Sequence, residues 1–531
     1  MKHKIKYNLM FGLFIGVLFI VLECIFRINE ENLINYIKIS DCLAIVLLFL
    51  IMSLLENKII KIILVLLSGI FVIQVGHFNY FGYFLFPMEF ILFFTKSNEI
   101  YETLSTKVDV LVAPIVFSII LLIVINRILK LTKKRLTFSI FKYIFLLILI
   151  YPVINTAVHY KKRALGERPN GSKSIIKNSL YVAKTFVGKT LPLYVFDIQV
   201  VDKYKERFNY SKDVSNKVDN VILVIGESLS FHYMSLYGYQ KSTTPRLDKL
   251  SESNNNFYVA KALSSGVFTD TSIPMILNIS EKPNAIEHIL LNKSNLFKMA
   301  KDNKYKTHWV SSQSKDGFSY IRSYMGINYI DRYIDSTDYG FDEFTSGHDD
   351  IIYENLINID LENYNNFIVL NMVGSHSPYS KRVPSEFKPF GDSNDLNHYE
   401  NTVAYTDKII SDIIGHLKNN SKSKTLLIFT SDHGQSVSEN GYGHGNIENK
   451  KHYEVPLIFF SNNFKLDKNI QKYTSDNYIS HYTMSKIVAN YLGYNFDNYL
   501  NEDKAYIIGN ELSGNAGYVE YFYTENKIEY K

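Results

Sequence analysis

Several short polar clusters in the sequence combine residue types that can bind a cation or move a proton. Glu227 lies in the cluster 226–228, and Asp432 and His433 lie in the cluster 431–434. Two carboxylates and an imidazole form a ligand set without a thiolate, which divalent cations accept. Zinc with three protein ligands and an open position is the usual arrangement in hydrolases and transferases. Alone, Asp432 and His433 equally fit a turn in which the aspartate caps a helix, but combined with Glu227 they predict a metal site.

A hydroxyl group that could act as a nucleophile occurs in the segment 264–278. Thr269 stands just before an apolar run, at a position where a helix would begin. The amides of a helix N-terminus stabilise an anionic phosphoryl group, and a metal that binds a hydroxyl lowers its pKa. The spacing by itself favours a simpler interpretation, in which this threonine is an ordinary helix cap.

The surrounding sequence predicts a scaffold for these clusters. Continuous apolar, β-branched runs typical of buried parallel strands occur at 221–228, 366–376, 425–434 and 455–462. A helical pattern at 399–420 lies between two of them. This alternation predicts an α/β domain with a mostly parallel sheet and helices on both faces.

Functional residues of such sheets collect where the strands end. Three of the four runs end in polar clusters, and one of these clusters, 374–378, contains His376. A further histidine, His444, follows in the glycine-rich segment 442–445. We therefore expect both histidines near the same edge of the sheet as Glu227 and Asp432.

The first 160 residues are far more apolar than the remainder of the chain. Five runs in this region are long enough to span about 30 Å of hydrocarbon, namely 8–26, 39–55, 62–80, 108–125 and 138–157. The predicted fold class is an α-helical membrane module with five transmembrane helices, followed by the α/β domain. The predicted boundaries are 1–160 for the membrane module, 161–215 for a linker along the membrane surface and 216–531 for the extracytoplasmic domain.

Basic residues in short loops orient the predicted helices. Lysines precede the first run, and the loop between the fourth and fifth runs contains five basic residues: Arg127, Lys130, Lys133, Lys134 and Arg135. The positive-inside rule then places the N-terminus in the cytoplasm and residues 216–531 outside. An apolar stretch at 81–94, broken by Pro87, is interpreted as an interfacial helix, with a buried hairpin as the alternative.

Charge and cysteine content argue against a nucleic-acid-binding protein and against disulfides or thiolate metal sites in most of the chain. The net charge is +5 and no polycationic segment stands out, so the sequence does not predict nucleic-acid binding. The cysteines are Cys24 and Cys42, so the chain beyond residue 42 can form neither a disulfide nor a thiolate metal site.

The motifs in combination resemble a known family. The sequence GES at 226–228 is followed in order by FTDTSIPM, GSHSPY, NTVAYTDKII and SDHGQSVSENGYGHG. This order is similar to that of the phosphoethanolamine transferases of the bacterial inner membrane. That family belongs to the alkaline phosphatase/sulfatase superfamily, and the resemblance covers essentially the whole chain.

The resemblance implies a role for each matching residue. Four residues match zinc ligands: Glu227, Thr269, Asp432 and His433. Thr269 also matches the nucleophile that carries the phosphoethanolamine group, whereas His376 and His444 match histidines around the transferred phosphoryl group. For Lys315 in SSQSKDG two interpretations stay open, a substrate-contacting lysine and a solvated loop lysine.

The implied activity is transfer of phosphoethanolamine from phosphatidylethanolamine to a cell-envelope glycan or glycolipid: the lipopolysaccharide core, lipid A or capsule. The resemblance implies an inner-membrane enzyme that acts as a monomer. Members that modify lipid A usually carry several disulfides, so the lack of cysteine beyond residue 42 favours another acceptor. The alternatives are a phosphoglycerol transferase that uses phosphatidylglycerol and a non-enzymatic membrane scaffold.

Overall fold

A computed structural model of the chain has two compact units, residues 1–198 and 199–531. The structure describes the chain with the exception of the following residues: 1, 27–38, 82–84, 86, 88–89, 91–100, 102–104, 106–107, 134, 160–173, 196–209, 254–255, 319–320, 439–440, 472–477, 497–499 and 501.

Apolar helices make up the first unit. Their bounds are Lys2–Phe26 (α1), Ile39–Met52 (α2), Asn57–Phe81 (α3), Asp109–Leu131 (α4) and Ile140–Val158 (α5). Within the described residues, α1, α3, α4 and α5 are long and apolar enough to cross a membrane. The helix α2, in the second predicted run, has 14 residues, fewer than the roughly 20 that a spanning helix needs.

A further helix begins inside the segment that the sequence analysis assigns to a linker. This helix, Ile175–Thr185 (α6), starts after Ser174, whose side chain accepts a hydrogen bond from the Lys177 N–H. The carboxylate of Glu23 accepts a second one from the Ile175 N–H at 2.8 Å. Anionic groups interact favourably with a helix N-terminus. The helix α6 therefore packs as part of the first unit, as does the short helix Leu191–Val195 (α7).

Two predictions fall largely outside the described residues. They are the interfacial helix at 81–94 and the parts of the linker at 160–173 and 196–209.

The second unit contains four sheets among its described residues. The strands are Tyr210–Lys212 (β1), Asn220–Gly226 (β2), Phe257–Leu263 (β3), Lys306–Ser311 (β4), Arg332–Ile334 (β5), Asn366–Asn371 (β6), Thr425–Ser431 (β7), Ser436–Ser438 (β8), Gly441–Gly443 (β9), Glu454–Asn462 (β10), Tyr478–Ser480 (β11), Tyr494–Phe496 (β12), Lys504–Ile508 (β13), Tyr518–Phe522 (β14) and Lys527–Tyr530 (β15). The central sheet has eight of them, in the order β11-β3-β10-β7-β2-β6-β4-β5.

The central sheet is mixed rather than uniformly parallel. Strands β7, β2, β6, β4 and β5 run parallel, as the apolar runs of β7, β2 and β6 predict. The sequence predicted neither β4 nor β5. Strand β10 runs antiparallel to β3 and β7. The connection from β7 to β10 contains the β8–β9 hairpin and no crossover helix among its described residues. A crossover is what would make the next strand parallel. The run at 455–462 therefore ends at the opposite edge of the sheet from the other three.

Helices cover both faces of the central sheet, which explains why its strands are continuously apolar. Alternate residues of β2 point to opposite sides: Leu223 and Ile225 join one core cluster, whereas Ile222 and Val224 join the other. The helices of this unit are Pro245–Ser253 (α8), Thr269–Leu277 (α9), Ile286–Leu290 (α10), Leu296–Asp302 (α11), Asp350–Leu356 (α12), Asp395–Asn420 (α13) and His481–Tyr491 (α14). The predicted helix at 399–420 lies within α13.

Candidate metal centre and active site

The register of two parallel strands brings the predicted acidic ligands together. In β2 and β7, Gly226 lies opposite Ser431. The next residue of each strand is Glu227 and Asp432, so the two carboxylates leave the sheet side by side. Both side chains are buried, at 1% exposure. The sheet thus places two carboxylates at one edge, as the positions of the apolar runs predict.

The backbone after β2 turns sharply to aim Glu227. Ser228 adopts a left-handed conformation with φ of 57°. Its N–H donates to Asp432 Oδ1 at 3.1 Å, and its hydroxyl donates to Glu227 Oε1 at 2.8 Å. This turn fixes both carboxylates relative to each other.

The Nε2 atom of His433 faces the two carboxylates. Its Nδ1 lies 3.0 Å from the Gly434 carbonyl oxygen, which can only accept, so Nδ1 carries the proton. Its Nε2 lies 3.3 Å from Glu227 Oε1 and 3.5 Å from Asp432 Oδ2. A backbone partner of this kind is what orients a metal-binding histidine.

The hydroxyl of Thr269 completes the group. Thr269 is the first residue of α9, as predicted, and its Oγ1 lies 3.0 Å from Glu227 Oε2 and 2.7 Å from Asp432 Oδ2. His433 Nε2 is 3.4 Å away. A hydroxyl has one proton and cannot satisfy three acceptors at once. Two carboxylates, an imidazole and a hydroxyl therefore converge with too few protons to satisfy one another. Such a set of ligand atoms fits a divalent cation.

Contacts on both sides of Thr269 hold α9 in place. The Ser272 hydroxyl donates to the Asp432 carbonyl oxygen at 2.5 Å. In the segment before the helix, the Val267 N–H donates to the Ile508 carbonyl oxygen at 3.0 Å, which ties the segment to β13. The position of Thr269 therefore depends on the end of β7 and on the small C-terminal sheet.

The charges of the group are strongly coupled. Burial raises the pKa of Glu227, but the hydrogen bond and charge of His433 bring that pKa well below its usual value. Burial, followed by the charge of Glu227, raises the pKa of Asp432. Burial opposes protonation of His433, yet the two carboxylates raise its pKa. Two buried carboxylates in contact are unfavourable without positive charge, so their electrostatics also fit a bound cation.

His444 lies beside the group, as predicted. Its ring centroid is 4.1 Å from that of His433 and 5.0 Å from that of Phe268. Its Nδ1 lies 3.0 Å from Gln435 Oε1, and Gln435 Nε2 donates to the Tyr379 hydroxyl at 2.5 Å. Gln435 thus fixes which nitrogen of His444 carries the proton.

His376 follows β6 at the same edge, where it is partly exposed. Its Nδ1 lies 2.5 Å from the Ser377 carbonyl oxygen, and its charge contributes to the lowered pKa of Glu227. The guanidinium of Arg382 donates to the carbonyl oxygens of both His376 and Ser377. The histidine is therefore held in one orientation near the candidate metal-ligand group, which comprises Glu227, Thr269, Asp432 and His433.

Lys315 is exposed on the loop after β4, and no contact in the described part of the chain joins it to Thr269. The same loop contains Gln313, which the sequence analysis missed. Gln313 Nε2 donates to Glu227 Oε2 at 3.2 Å and to the Met372 carbonyl oxygen at 2.8 Å. Gln313 follows β4 by two residues, and because the sequence did not predict β4, no signal in the sequence identified Gln313.

Comparison with known proteins agrees with this geometry. The family model Sulfatase matches residues 219–487, just over half of the chain. Phosphoethanolamine transferase EptA of Helicobacter pylori is 30% identical over 392 residues, which cover 69% of this chain and 69% of that protein. The chain belongs to the phosphoethanolamine transferase family. The resemblance inferred from the motifs is thereby confirmed, together with the alkaline phosphatase/sulfatase superfamily to which this family belongs.

Two solved structures show the same fold as this phosphoethanolamine transferase family member. One is the integral membrane lipooligosaccharide phosphoethanolamine transferase A of Neisseria meningitidis, with 15% identity and a TM-score of 0.56, covering 92% of this chain and 95% of that chain. The other is the C-terminal periplasmic domain of EcEptC from Escherichia coli, with 21% identity and a TM-score of 0.50, covering 57% of this chain and 92% of that chain. The protein is therefore an enzyme of the phosphoethanolamine transferase family with apolar helices that can cross a membrane.

Proposed function

We propose that this enzyme transfers phosphoethanolamine from phosphatidylethanolamine to a glycan or glycolipid of the cell envelope, with Thr269 as the covalent carrier. One observation carries the proposal: Thr269 Oγ1 faces Glu227, Asp432 and His433 at hydrogen-bond distances. A relative named for this activity, the Helicobacter pylori transferase, supports the choice of the transferred group.

The proposed cation is zinc, and the proposed ligands are Glu227, Thr269, Asp432 and His433. When bound, zinc lowers the pKa of the threonine hydroxyl so that its oxygen can attack near neutral pH. The fit rests on the buried donor set and on the contact of His433 Nδ1 with the Gly434 carbonyl oxygen, which turns Nε2 toward the carboxylates.

The first half of the reaction loads the threonine. Thr269 Oγ1 forms a bond to the lipid phosphorus while the bond from phosphorus to the diacylglycerol oxygen breaks. The hydroxyl proton is positioned to pass to Asp432 Oδ2, 2.7 Å away. The N-terminal amides of α9 stabilise the charge that develops on the phosphoryl oxygens.

The departing diacylglycerol oxygen requires a proton. Burial and the charge of His433 lower the pKa of His444 well below its usual value, so His444 stays neutral. His376 is therefore the proposed proton donor, and His444 a hydrogen-bond partner of the phosphoryl group. Lys315 remains a proposed substrate contact, since its loop lies at the same edge of the sheet.

The second half releases the enzyme. A hydroxyl of the acceptor attacks the phosphothreonine, and its oxygen forms a bond to phosphorus while its proton passes to His376. The bond from phosphorus to Thr269 Oγ1 breaks, and that oxygen regains its proton from Asp432. The acceptor is a glycan or glycolipid, and the lack of cysteine beyond residue 42 favours the lipopolysaccharide core or capsule over lipid A. The enzyme is proposed to act as a monomer.

The proposed setting is the bacterial inner membrane, with the N-terminus in the cytoplasm and residues 216–531 in the periplasm as the catalytic domain. In this arrangement residues 1–160 cross the membrane five times, and α2 lies in the second crossing. The linker would be residues 161–215. An anchored domain meets a lipid donor at a high local concentration, which favours this arrangement.

The alternative donor is phosphatidylglycerol, because a phosphoglycerol transferase would need the same metal ligands and nucleophile. A non-enzymatic scaffold would be expected to lack a ligand, whereas Glu227, Asp432 and His433 converge with Thr269. The direct test is mass spectrometry of envelope glycolipids from cells with the protein, without it, or with Thr269→Ala. The proposal expects a phosphoethanolamine adduct only with the wild-type chain. A phosphoglycerol adduct would favour the alternative, and equal spectra in all three would contradict both.

A further inference from the structure

A buried aspartate outside the metal-ligand group connects two loops that touch Glu227. Asp349 directly precedes α12 and is 1% exposed. An aspartate at this position usually caps its own helix, but Asp349 makes no such bond. Its Oδ1 instead accepts hydrogen bonds from the Ser312 hydroxyl at 2.6 Å and the Val373 N–H at 2.8 Å. Its Oδ2 accepts from the Gly374 N–H at 3.1 Å.

The first of these loops follows β6 and packs against the backbone of Glu227. Gly374 has φ of 50°, and a Cβ atom at this position would lie 2.8 Å from both the N and the O of Glu227. The neighbouring Ser375 N–H donates to the Glu227 carbonyl oxygen at 2.9 Å. The backbone at Gly374 therefore sets how closely the loop approaches Glu227.

The second loop follows β4 and contacts the carboxylate of Glu227. Ser312, which donates to Asp349, is followed by Gln313, whose Nε2 donates to Glu227 Oε2 at 3.2 Å. The Ser312 hydroxyl also lies 2.8 Å from the Val373 N–H, so it joins the two loops directly. The carboxylate of Asp349 thus holds both the loop that contacts the backbone of Glu227 and the loop that contacts its side chain.

We propose that Asp349 is a positioning residue that holds these two loops so that Glu227 points its carboxylate into the metal centre. This inference rests on the proposed function for the role of the metal, and Asp349 itself is not assigned a contact with metal or substrate. Residues that orient a metal ligand typically change metal affinity or activity by about 10–100-fold when they are replaced.

Asp407 provides a matched control. It is 2% exposed and also accepts two backbone hydrogen bonds, from the Arg246 N–H at 3.2 Å and the Leu247 N–H at 2.8 Å. These bonds hold the start of α8 against α13, and they involve none of the residues around Thr269. Replacing Asp407 should therefore cost stability without a specific effect on the metal centre.

The test compares Asp349→Asn with Asp407→Asn in the full-length protein in detergent. In Asp349→Asn the carboxamide can keep its oxygen toward Ser312 and Val373, but its NH2 group then faces the Gly374 N–H. Four quantities are measured: zinc affinity by competition with a chromogenic chelator, the melting temperature of the metal-free protein, and kcat and KM for lipid-dependent transfer.

Asp349→Asn is expected to weaken zinc binding by about tenfold or more and to lower kcat more than it changes KM. Asp407→Asn is expected to lower the melting temperature while zinc affinity stays within about twofold of wild type, far from the effect of a lost orienting contact. Wild-type zinc affinity in a folded Asp349→Asn protein, or an equal loss in both variants, overturns the proposal.

A milder variant guards against a failure to fold. Ser312→Ala removes one of the three donors to Asp349 and should weaken zinc binding in the same direction, by a smaller factor. Unchanged zinc affinity in Ser312→Ala, with Asp349→Asn unfolded, also overturns the proposal. Zinc affinity is measured without substrate, so it tests the role of Asp349 independently of transfer. A wild-type protein that binds zinc but transfers nothing would contradict the proposed function alone.

Discussion

The Thr269 hydroxyl lies 2.7 Å from an oxygen of Asp432, although the two residues are 163 positions apart in the chain. Thr269 begins α9, whereas Asp432 follows the central strand β7. A helix start and a strand end thus meet at one point, where an alcohol oxygen, two carboxylates and an imidazole converge. This meeting is the structural basis of the proposed transfer through threonine.

Replacing a proposed ligand should weaken metal binding without unfolding the domain. Glu227→Gln replaces one carboxylate oxygen with an NH2 group, so zinc affinity should fall by at least about tenfold. Glu400→Gln is the matched control, because Glu400 is equally buried but accepts from the Tyr239 hydroxyl and pairs with Lys241, each at 2.7 Å. Chelator competition on both proteins makes the comparison. Equal zinc affinity in Glu227→Gln and wild type would remove Glu227 from the ligand set.

Gln435 should act on catalysis through His444. Gln435→Leu removes the acceptor 3.0 Å from His444 Nδ1, so the ring can rotate and change its tautomer. We expect kcat for transfer to fall by about tenfold, within the range for a lost orienting partner, while zinc affinity stays unchanged. Gln435→Glu keeps the acceptor and should retain more activity than Gln435→Leu. The opposite order of the two variants would contradict this role.

A methyl group at Gly374 should harm the site more than one at another left-handed glycine. Gly374→Ala places Cβ 2.8 Å from backbone atoms of Glu227, whereas Gly391, with φ of 84°, has open space around its Cβ position. Both alanines carry strain of about 1–3 kcal/mol from positive φ. The Gly374 variant alone should also lose zinc affinity. Chemical unfolding and chelator competition separate the two effects, and similar zinc affinities in both variants would show that the loop moves aside freely.

Buried neutral histidines should make the second unit less stable in mild acid. Burial lowers the pKa of His481 to about 3 and that of His288 to about 4, against 6.5 for an ordinary histidine. Below pH 6.5 the unfolded chain binds protons at these sites and the folded chain does not. The stability contributed by each neutral histidine is therefore full above pH 6.5 and is lost as the pH falls toward the folded pKa, by about 1.4 kcal/mol per pH unit.

The contribution of His481 can be separated from that of other groups by comparing how the free energy of unfolding changes with pH in wild type and in a variant. Buried Asp349 and Asp407 have pKa values raised to about 6 and act in the opposite direction, since stability then falls as the pH rises from 4 to 6. His481→Gln removes one histidine and leaves both aspartates. The free energy of unfolding of this variant should fall less steeply than that of wild type between pH 6.5 and 4. Parallel slopes would mean that His481 is protonated in the folded protein.

The sequence predicted the parts of the fold that depend on local pattern. The runs at 221–228, 366–376 and 425–434 became β2, β6 and β7 because continuous apolar residues suit strands buried on both faces. Parallel neighbours end at one edge, and this alone brought Glu227 next to Asp432. The start of α9 at Thr269 also agreed with the prediction.

Other features had no local signal. Strand β4 contains Lys306 and His308 among six residues, so its apolar content is too low to stand out. The direction of β10 depends on how the chain returns from β7, which periodicity does not encode. The contacts of Asp349 are to backbone N–H groups of residues 24 and 25 positions away, and such partners leave no pattern in the sequence. The second predicted membrane run proved shorter in its described part than its hydropathy suggested.

The central claim is that Thr269 carries the transferred group, and intact-mass spectrometry tests it most directly. Purified full-length protein is incubated with phosphatidylethanolamine without acceptor, beside Thr269→Ala and Thr271→Val. Thr271 is a suitable control because its hydroxyl on the same helix donates to the Phe268 carbonyl oxygen instead. A phosphoethanolamine adduct on wild type and Thr271→Val, mapped to the peptide containing Thr269 and absent from Thr269→Ala, is the predicted result. An adduct that persists in Thr269→Ala, or transfer to acceptor by that variant at the wild-type rate, would contradict the account.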